Sequence, residues 1–97
     1  MNNPPIQKSP DTMESLIEYP CEFPIKVFGK TQQGFLQAVT EVVLQHDPAF
    51  TAASITLRNS KTAKYVSLTC TVTATSREQL DALYQALCDH PQVAMVL

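Results

Sequence analysis

The sequence contains no long apolar run and no excess of positive charge. No stretch approaches the ~20 apolar residues of a membrane-spanning helix, so we expect no contact with a membrane. The N-terminal residues lack the apolar core of a secretory signal, which favours a cytoplasmic protein. The formal net charge is −2. Because nucleic-acid binding commonly depends on neutralising phosphates with basic residues, this charge predicts no nucleic-acid partner.

Cysteine and histidine are scarce and scattered. The three cysteines, Cys21, Cys70 and Cys88, show no C-x-x-C spacing. An odd number of cysteines without a secretion signal predicts reduced thiols rather than a disulfide framework. A structural zinc site needs about four nitrogen or sulfur ligands, usually supplied in close pairs. With His46 and His90 each standing alone, we expect no metal site.

The sequence also lacks a recognisable set of catalytic residues. Each of the two histidines falls at the end of a predicted helix, so a Ser/His/Asp set or a Cys/His dyad cannot be assembled convincingly. The loop after the first predicted strand resembles the phosphate-binding loop of acylphosphatases only in its glycines. Its cation is Lys30, which cannot form the bidentate contact that arginine makes with a phosphoryl group. We therefore predict no enzymatic activity and no cofactor.

A chain of 97 residues is long enough for a single domain. Residues 1–12 contain three of the seven prolines among polar residues, and this composition predicts a disordered tail. Residues 13–97 then form the domain, beginning with one or two helical turns at 13–19.

The spacing of apolar residues predicts four strands and two helices. The clearest strand follows Tyr65, where apolar residues alternate with serine and threonine, as in a half-buried antiparallel sheet. Leu36, Val39 and Val43 form an apolar helical stripe, with Thr31 or a nearby polar side chain as the expected N-cap. Ser76 opens a capping box at the second helix. The predicted strands cover about 22–29, 52–58, 66–75 and 93–97, and the predicted helices cover about 33–46 and 76–90.

The order of these elements is strand, helix, strand, strand, helix, strand. Right-handed crossovers in both β-α-β units then give a ferredoxin-like α+β fold, with two helices on one face of a four-stranded antiparallel sheet.

Two helices cover only one face of such a sheet, so the opposite face is available for contacts. The last strand is apolar on both sides, and an apolar edge needs cover. We expect this cover from a protein partner or from self-association; the alternative is that residues 13–19 fold over the sheet. The leading hypothesis is a non-enzymatic regulatory or adaptor domain that binds through Lys26, Thr69, Thr71, Val93 and Met95.

The loop between the first strand and the first helix is a second candidate site. Gly34-Phe35-Leu36 is similar to the Gly-Leu-Leu segment of ACT-type amino-acid-sensing domains. A helix N-terminus beside Lys30 favours an anion such as an amino acid or a related carboxylate. The alternative is that the glycines only shape a tight turn. The candidate ligand-binding residues are Gly29, Lys30, Thr31, Gln32, Gln33 and Gly34.

Several segments resemble the small bacterial YbeD-like proteins over about residues 13–97. They are Glu18-Tyr19-Pro20, residues 23–29, the helix around 39–43, the hairpin at 60–67 and the C-terminal residues 94–97. The chain departs from the family pattern in the hairpin, where Thr62-Ala63 stands in place of glycine. The resemblance implies a bacterial cytoplasmic protein with an ACT-like sandwich. It implies no assigned function and no catalytic residues.

Overall fold

A computed structural model describes residues 18–97, and its elements follow the predicted order. The sheet is antiparallel with strand order β2-β3-β1-β4, which confirms the ferredoxin-like α+β arrangement. The predicted tail at 1–12 and most of the predicted helical turns at 13–19 lie outside the described residues. The elements are β1 (Cys21–Lys30), α1 (Phe35–His46), β2 (Ile55–Asn59), β3 (Tyr65–Ala74), α2 (Arg77–Asp89) and β4 (Met95–Val96), with a 3-10 turn at Ala52–Ser54.

The two central strands determine the register of the sheet. β1 and β3 pair over ten residues each, from Cys21 opposite Ala74 to Lys30 opposite Tyr65. Successive side chains of a strand point to opposite faces, so odd-numbered residues of β1 and even-numbered residues of β3 face the helices. The predicted alternation of β3 is confirmed, because its apolar residues are buried while its hydroxyl residues face the other way.

The core lies between the sheet and the two helices. Leu68 of β3 and Leu83 of α2 are fully buried within it. Cys70 is also fully buried, as a small apolar residue would be. The remaining core residues are Ile25, Val27, Phe35, Val39, Val43, Phe50, Val66, Val72, Ala74, Leu80 and Leu87.

Leu36, which belongs to the predicted apolar stripe, is exposed, and so is Leu57. Leu36 is 43% exposed, because Phe35, at 2% exposure, is the residue of the first turn that enters the core. Leu57 lies opposite Leu68 and so belongs to the helix side of the sheet, yet it is 48% exposed. β2 is an edge strand, and the helices do not fully cover its outer part.

Three boundaries also differ from the predictions. Residues Ala52–Ser54 form a 3-10 turn, so β2 is shorter than expected. β4 has only two residues, although Leu97 continues the pairing by exchanging backbone hydrogen bonds with Lys26 at 3.1 and 2.8 Å. Thr31 does not cap α1, whose N-cap is Gly34 with a φ of +88° and no side-chain hydrogen bond.

The predicted capping box of α2 forms only in part, because Ser76 caps the helix but the Gln79 side chain accepts from the N–H of Thr75 and not from that of Ser76. The hydroxyl of Ser76 accepts a hydrogen bond from the backbone N–H of Gln79 at 3.0 Å. The carboxamide of Gln79 accepts from the N–H of Thr75 at 2.6 Å, and donates to the carbonyls of His46 at 2.8 Å and Thr73 at 3.0 Å. One side chain thus connects the end of α1, the end of β3 and the start of α2.

A candidate binding face

The surface with most potential for binding is the sheet face opposite the helices, which we call the open face. Strand register arranges its side chains in rows across the sheet. One row places Phe28 between Ser67 and Met95, and the next places Lys26 opposite Thr69. The open face consists of Glu22, Pro24, Lys26, Phe28 and Lys30 of β1, Thr56 and Arg58 of β2, Tyr65, Ser67, Thr69, Thr71 and Thr73 of β3, and Met95 with Leu97 at the C-terminus.

Apolar groups occupy part of this face. Tyr65 and Met95 are each 48% exposed, and Leu97 is 62% exposed. Phe28 is half-buried between them. An apolar cluster surrounded by hydroxyl and charged groups is typical of a contact surface.

Basic residues are concentrated on and beside the open face. Of the six basic residues in 18–97, only Arg77 lies on a helix, where it pairs with Asp81 at 3.7 Å. The carboxylates Glu41, Glu78 and Asp89 also lie on the helices. The other five basic residues form what we call the cationic cluster: Lys26, Lys30, Arg58, Lys61 and Lys64. The net charge of −2 therefore combines a basic surface with acidic helices.

Shallow depressions surround Tyr65 at the end of the sheet where the cationic cluster lies. One, of about 130 Å³, is lined by residues that include Phe28, Arg58 and Tyr65. A second, of about 400 Å³, is lined by Lys30, Thr31, Lys64 and Tyr65. They share Tyr65 and together extend the open face onto the loops.

The predicted ligand loop is divided in the structure. Gly29 is buried and packs closely, since a Cβ there would lie 2.5 Å from Phe35 Cε1 and 2.6 Å from the carbonyl oxygen of Gln92. Gly34 is exposed and has open space around it. The remaining residues of the loop are exposed. Lys30 with Thr31 lines one depression, and Lys30 with Gln32 lines another of about 210 Å³, but Gln33 lines neither.

The predicted interaction surface is brought together with one exception. Lys26, Thr69, Thr71 and Met95 share the open face, where the two threonines are half-buried. Val93 instead packs against the core from the segment before β4, because the short β4 does not extend back to it.

The cationic cluster is not among the sites predicted from the sequence. Arg58, Lys61 and Lys64 lie close together in the sequence, but Lys26 and Lys30 belong to β1, and α1 lies between the two groups. Part of the cluster could have been found from the alternation of side chains along β1. Lys26, Phe28 and Lys30 occupy alternate positions and therefore point to the same face.

The three cysteines of 18–97 differ in burial: Cys70 is buried, Cys21 is half-buried and Cys88 is exposed. Cys21, Cys70 and Cys88 are all free. Burial raises the pKa of Cys70 from 9.0 to about 11, so this thiol stays protonated at neutral pH. Burial, and secondarily the neighbouring Cys88, also raise the pKa of Tyr84.

Residues 18–97 contain no group of three or more histidine, cysteine, aspartate or glutamate side chains arranged to hold a metal ion. Within the same residues, neither helix is long and apolar enough to cross a membrane.

Comparison with known proteins gives a family and a fold. The family model described as "Protein of unknown function (DUF493)" matches residues 14–97. The UPF0250 protein NE1487 of Nitrosomonas europaea is 58% identical over 86 residues, covering 89% of this chain and 99% of that protein. The UPF0250 protein BPP0168 of Bordetella parapertussis is 63% identical over 84 residues, covering 87% of this chain and 92% of that protein.

One solved structure shows the same fold. The solution structure of protein HP0495 from H. pylori matches with a TM-score of 0.65 and 19% sequence identity. The match covers 84% of this chain and 85% of that chain. At this level of identity the likeness concerns the fold alone.

Proposed function

This chain belongs to the DUF493 family of small bacterial proteins, a family of unknown function, and we propose that it is a non-enzymatic regulatory or adaptor domain. It acts by holding a protein partner on its open face. The observation that carries this proposal is the cluster of Phe28, Tyr65 and Met95 on a sheet face that neither helix covers.

The composition of the open face suits a protein partner. Binding surfaces in proteins commonly combine an apolar centre with a polar rim that supplies hydrogen bonds. Here Phe28 and Met95 provide the apolar centre, and the hydroxyl groups of Ser67 and Thr69 stand beside it. The partner gains both buried apolar area and directional contacts from such a face.

Site-specific photocrosslinking in the native bacterium tests this proposal. A benzophenone side chain at position 95 should give covalent adducts of defined mass with one or a few proteins. The matched control carries the same group at Gln85, on the exposed side of α2, and should give none. Equal adducts from both positions, or none from position 95, would contradict the proposal.

The free thiols support a cytoplasmic location for this function. Cys21, Cys70 and Cys88 are unpaired, and the exposed Cys88 would be vulnerable in an oxidising compartment.

A second candidate function is binding of a small anion, such as an amino acid or a related carboxylate. The observation that favours it is the depression of about 400 Å³ that places the cations Lys30 and Lys64 beside Thr31 and Tyr65. A carboxylate there would be attracted by two charges that carboxylates in 18–97 do not neutralise.

A thermal-shift screen with amino acids and short carboxylates tests this second function. A ligand at ~100 times its Kd should stabilise the folded chain by ~2.7 kcal/mol. The shift should disappear in Lys30→Gln and persist in the control Lys61→Gln. The control removes the same charge, but Lys61 does not line either of the two depressions that Lys30 lines. No shift with any of these compounds argues against the sensor function.

A further inference from the structure

We infer that the segment held on the open face is acidic, with an apolar side chain flanked by carboxylates. This inference rests on the proposed function, since it names the chemistry of the partner that the open face would bind. It starts from the cationic cluster of Lys26, Lys30, Arg58, Lys61 and Lys64.

The cationic cluster has no counter-charge of its own in 18–97. None of its five side chains forms an ion pair or a side-chain hydrogen bond within the described residues. The acidic residue of the open face is Glu22, which lies opposite Thr73 at the other end of β1. Five like charges on one side of a small domain repel each other, and an anionic partner relieves that repulsion.

The spacing along β1 defines the pattern of the partner. Lys26, Phe28 and Lys30 occupy alternate positions, so their side chains project from one face at intervals of about 6.6 Å. An extended segment has the same interval between alternate side chains. A segment of the form acid-x-apolar-x-acid therefore places two carboxylates near the two lysines and its apolar side chain over Phe28.

Residues of the neighbouring strands β2 and β3 extend the surface that would contact this segment. Arg58 stands opposite Ser67 in the row of Phe28, and Tyr65 stands opposite Lys30. Together they border the depression of about 130 Å³, which can accept an apolar side chain of moderate size. Charge gives orientation and association rate, while the apolar contact supplies affinity.

The same features favour a protein segment over single-stranded nucleic acid. Nucleic acid binds along grooves that continue over several nucleotides and stacks bases on accessible rings. Here the basic region of β1 runs only about 13 Å, from Lys26 to Lys30, and the strand then presents Pro24 and Glu22. Phe28 is half-buried in its row, which limits its use as a stacking platform.

NMR titration of the full chain tests this inference with short synthetic probes. The probes are the capped pentapeptide Glu-Ser-Leu-Ser-Glu, its neutral counterpart Gln-Ser-Leu-Ser-Gln, the respaced peptide Glu-Glu-Leu-Ser-Ser and a thymidine hexanucleotide. The first peptide should shift the amide signals of 26–30 and 65–69 saturably. The neutral and respaced peptides should bind more weakly than the first peptide. Added salt should weaken the binding of the first peptide.

Charge variants connect the binding to the cluster. Lys26→Gln with Lys30→Gln should lower the affinity for the acidic peptide roughly tenfold, as expected for the loss of two partly exposed ion pairs. The matched control is Gln45→Glu with Ala82→Glu on the exposed sides of the helices, which changes the net charge equally. It should leave the affinity within about twofold.

Three results would overturn the inference. Shifts of these amides by the hexanucleotide and not by the peptides would assign the face to nucleic acid. Equal binding of all three peptides would show that recognition depends neither on the charge of the peptide nor on the spacing of its carboxylates. Absence of any shift would exclude an acidic segment as the ligand of the open face. Crosslinking from position 95 would then show separately whether a protein binds there.

Discussion

The two glycines of this chain are required for different physical reasons. Gly29 is required for packing, because the ring of Phe35 and the backbone of Gln92 occupy the space of a Cβ. Gly34 has free space, but its φ of +88° is a conformation that side chains with a Cβ adopt at a cost. Both glycines belong to the predicted ligand loop, and the structure separates their roles.

Alanine substitutions should distinguish these roles. Gly29→Ala should lower the free energy of unfolding by about 3 kcal/mol, because the buried Phe35 and a backbone carbonyl must both move. Gly34→Ala should lower it by only about 1 kcal/mol, the typical cost of a left-handed alanine. Urea denaturation measures both values, and equal losses would contradict the packing role of Gly29.

At the scale of elements, Gln79 lies at a junction. Its carboxamide satisfies backbone groups of α1, β3 and the linker before α2. Asp47, buried at the end of α1, adds a second link by accepting a hydrogen bond from the N–H of Thr73 at 2.9 Å. These polar contacts fix how the two helices start and end against the sheet.

Removing the Gln79 side chain should therefore cost more than an ordinary surface substitution. Gln79→Ala should lower the free energy of unfolding by about 1–2 kcal/mol, because the part-buried carbonyl of His46 and two exposed backbone groups lose their partners. The matched control is Gln85→Ala, which loses one exposed hydrogen bond to Asp89 and should change stability by less than about 0.5 kcal/mol. Thermal and urea unfolding give both values. Similar losses in the two variants would show that the junction contributes little.

The position of Pro24 inside β1 also has a reason at the scale of elements. The even-numbered residues of β1 direct their backbone groups toward β4, as the hydrogen bonds between Lys26 and Leu97 show. The described pairing of β1 on that side covers Lys26 to Phe28, so no strand of 18–97 lies beside Pro24 there. The missing N–H of proline therefore costs the sheet no hydrogen bond.

For the whole molecule, the buried thiol of Cys70 couples stability to pH. Its pKa is about 11 in the folded chain against 9.0 for the ordinary group. The folded state thus holds this proton more tightly than the unfolded state. The contribution to stability is fully present below pH 9 and is lost as pH rises through 11.

Urea denaturation across this pH range measures the effect. The free energy of unfolding should fall by about 2–3 kcal/mol through this thiol. Because the pKa of Tyr84 is raised as well, the comparison uses a Tyr84→Phe background. In that background Cys70→Ala should remove this part of the pH dependence, while Cys88→Ala, at an exposed position, should keep it. An unchanged slope in Cys70→Ala would exclude the thiol as its source.

The distribution of charge is also a property of the whole molecule. The formal net charge predicts a weakly acidic protein, yet the fold collects Lys26, Lys30 and Arg58 on one face. The acidic residues Glu41 and Glu78 lie instead on the helices. The expectation that nucleic acid is not a partner rested on net charge, so it remains a prediction that the titration tests directly.

The type and order of the elements follow from local patterns of residues. Periodic apolar residues show locally which side of a segment is buried, so β3 and the N-cap at Ser76 could be predicted from their own residues. Other features depend on packing that no local pattern contains. Strand register brought Arg58 and Lys26 to one face, and the edge position of β2 left Leu57 exposed. Register and edges arise from packing between distant segments, and for that reason the candidate site became visible only in the folded chain.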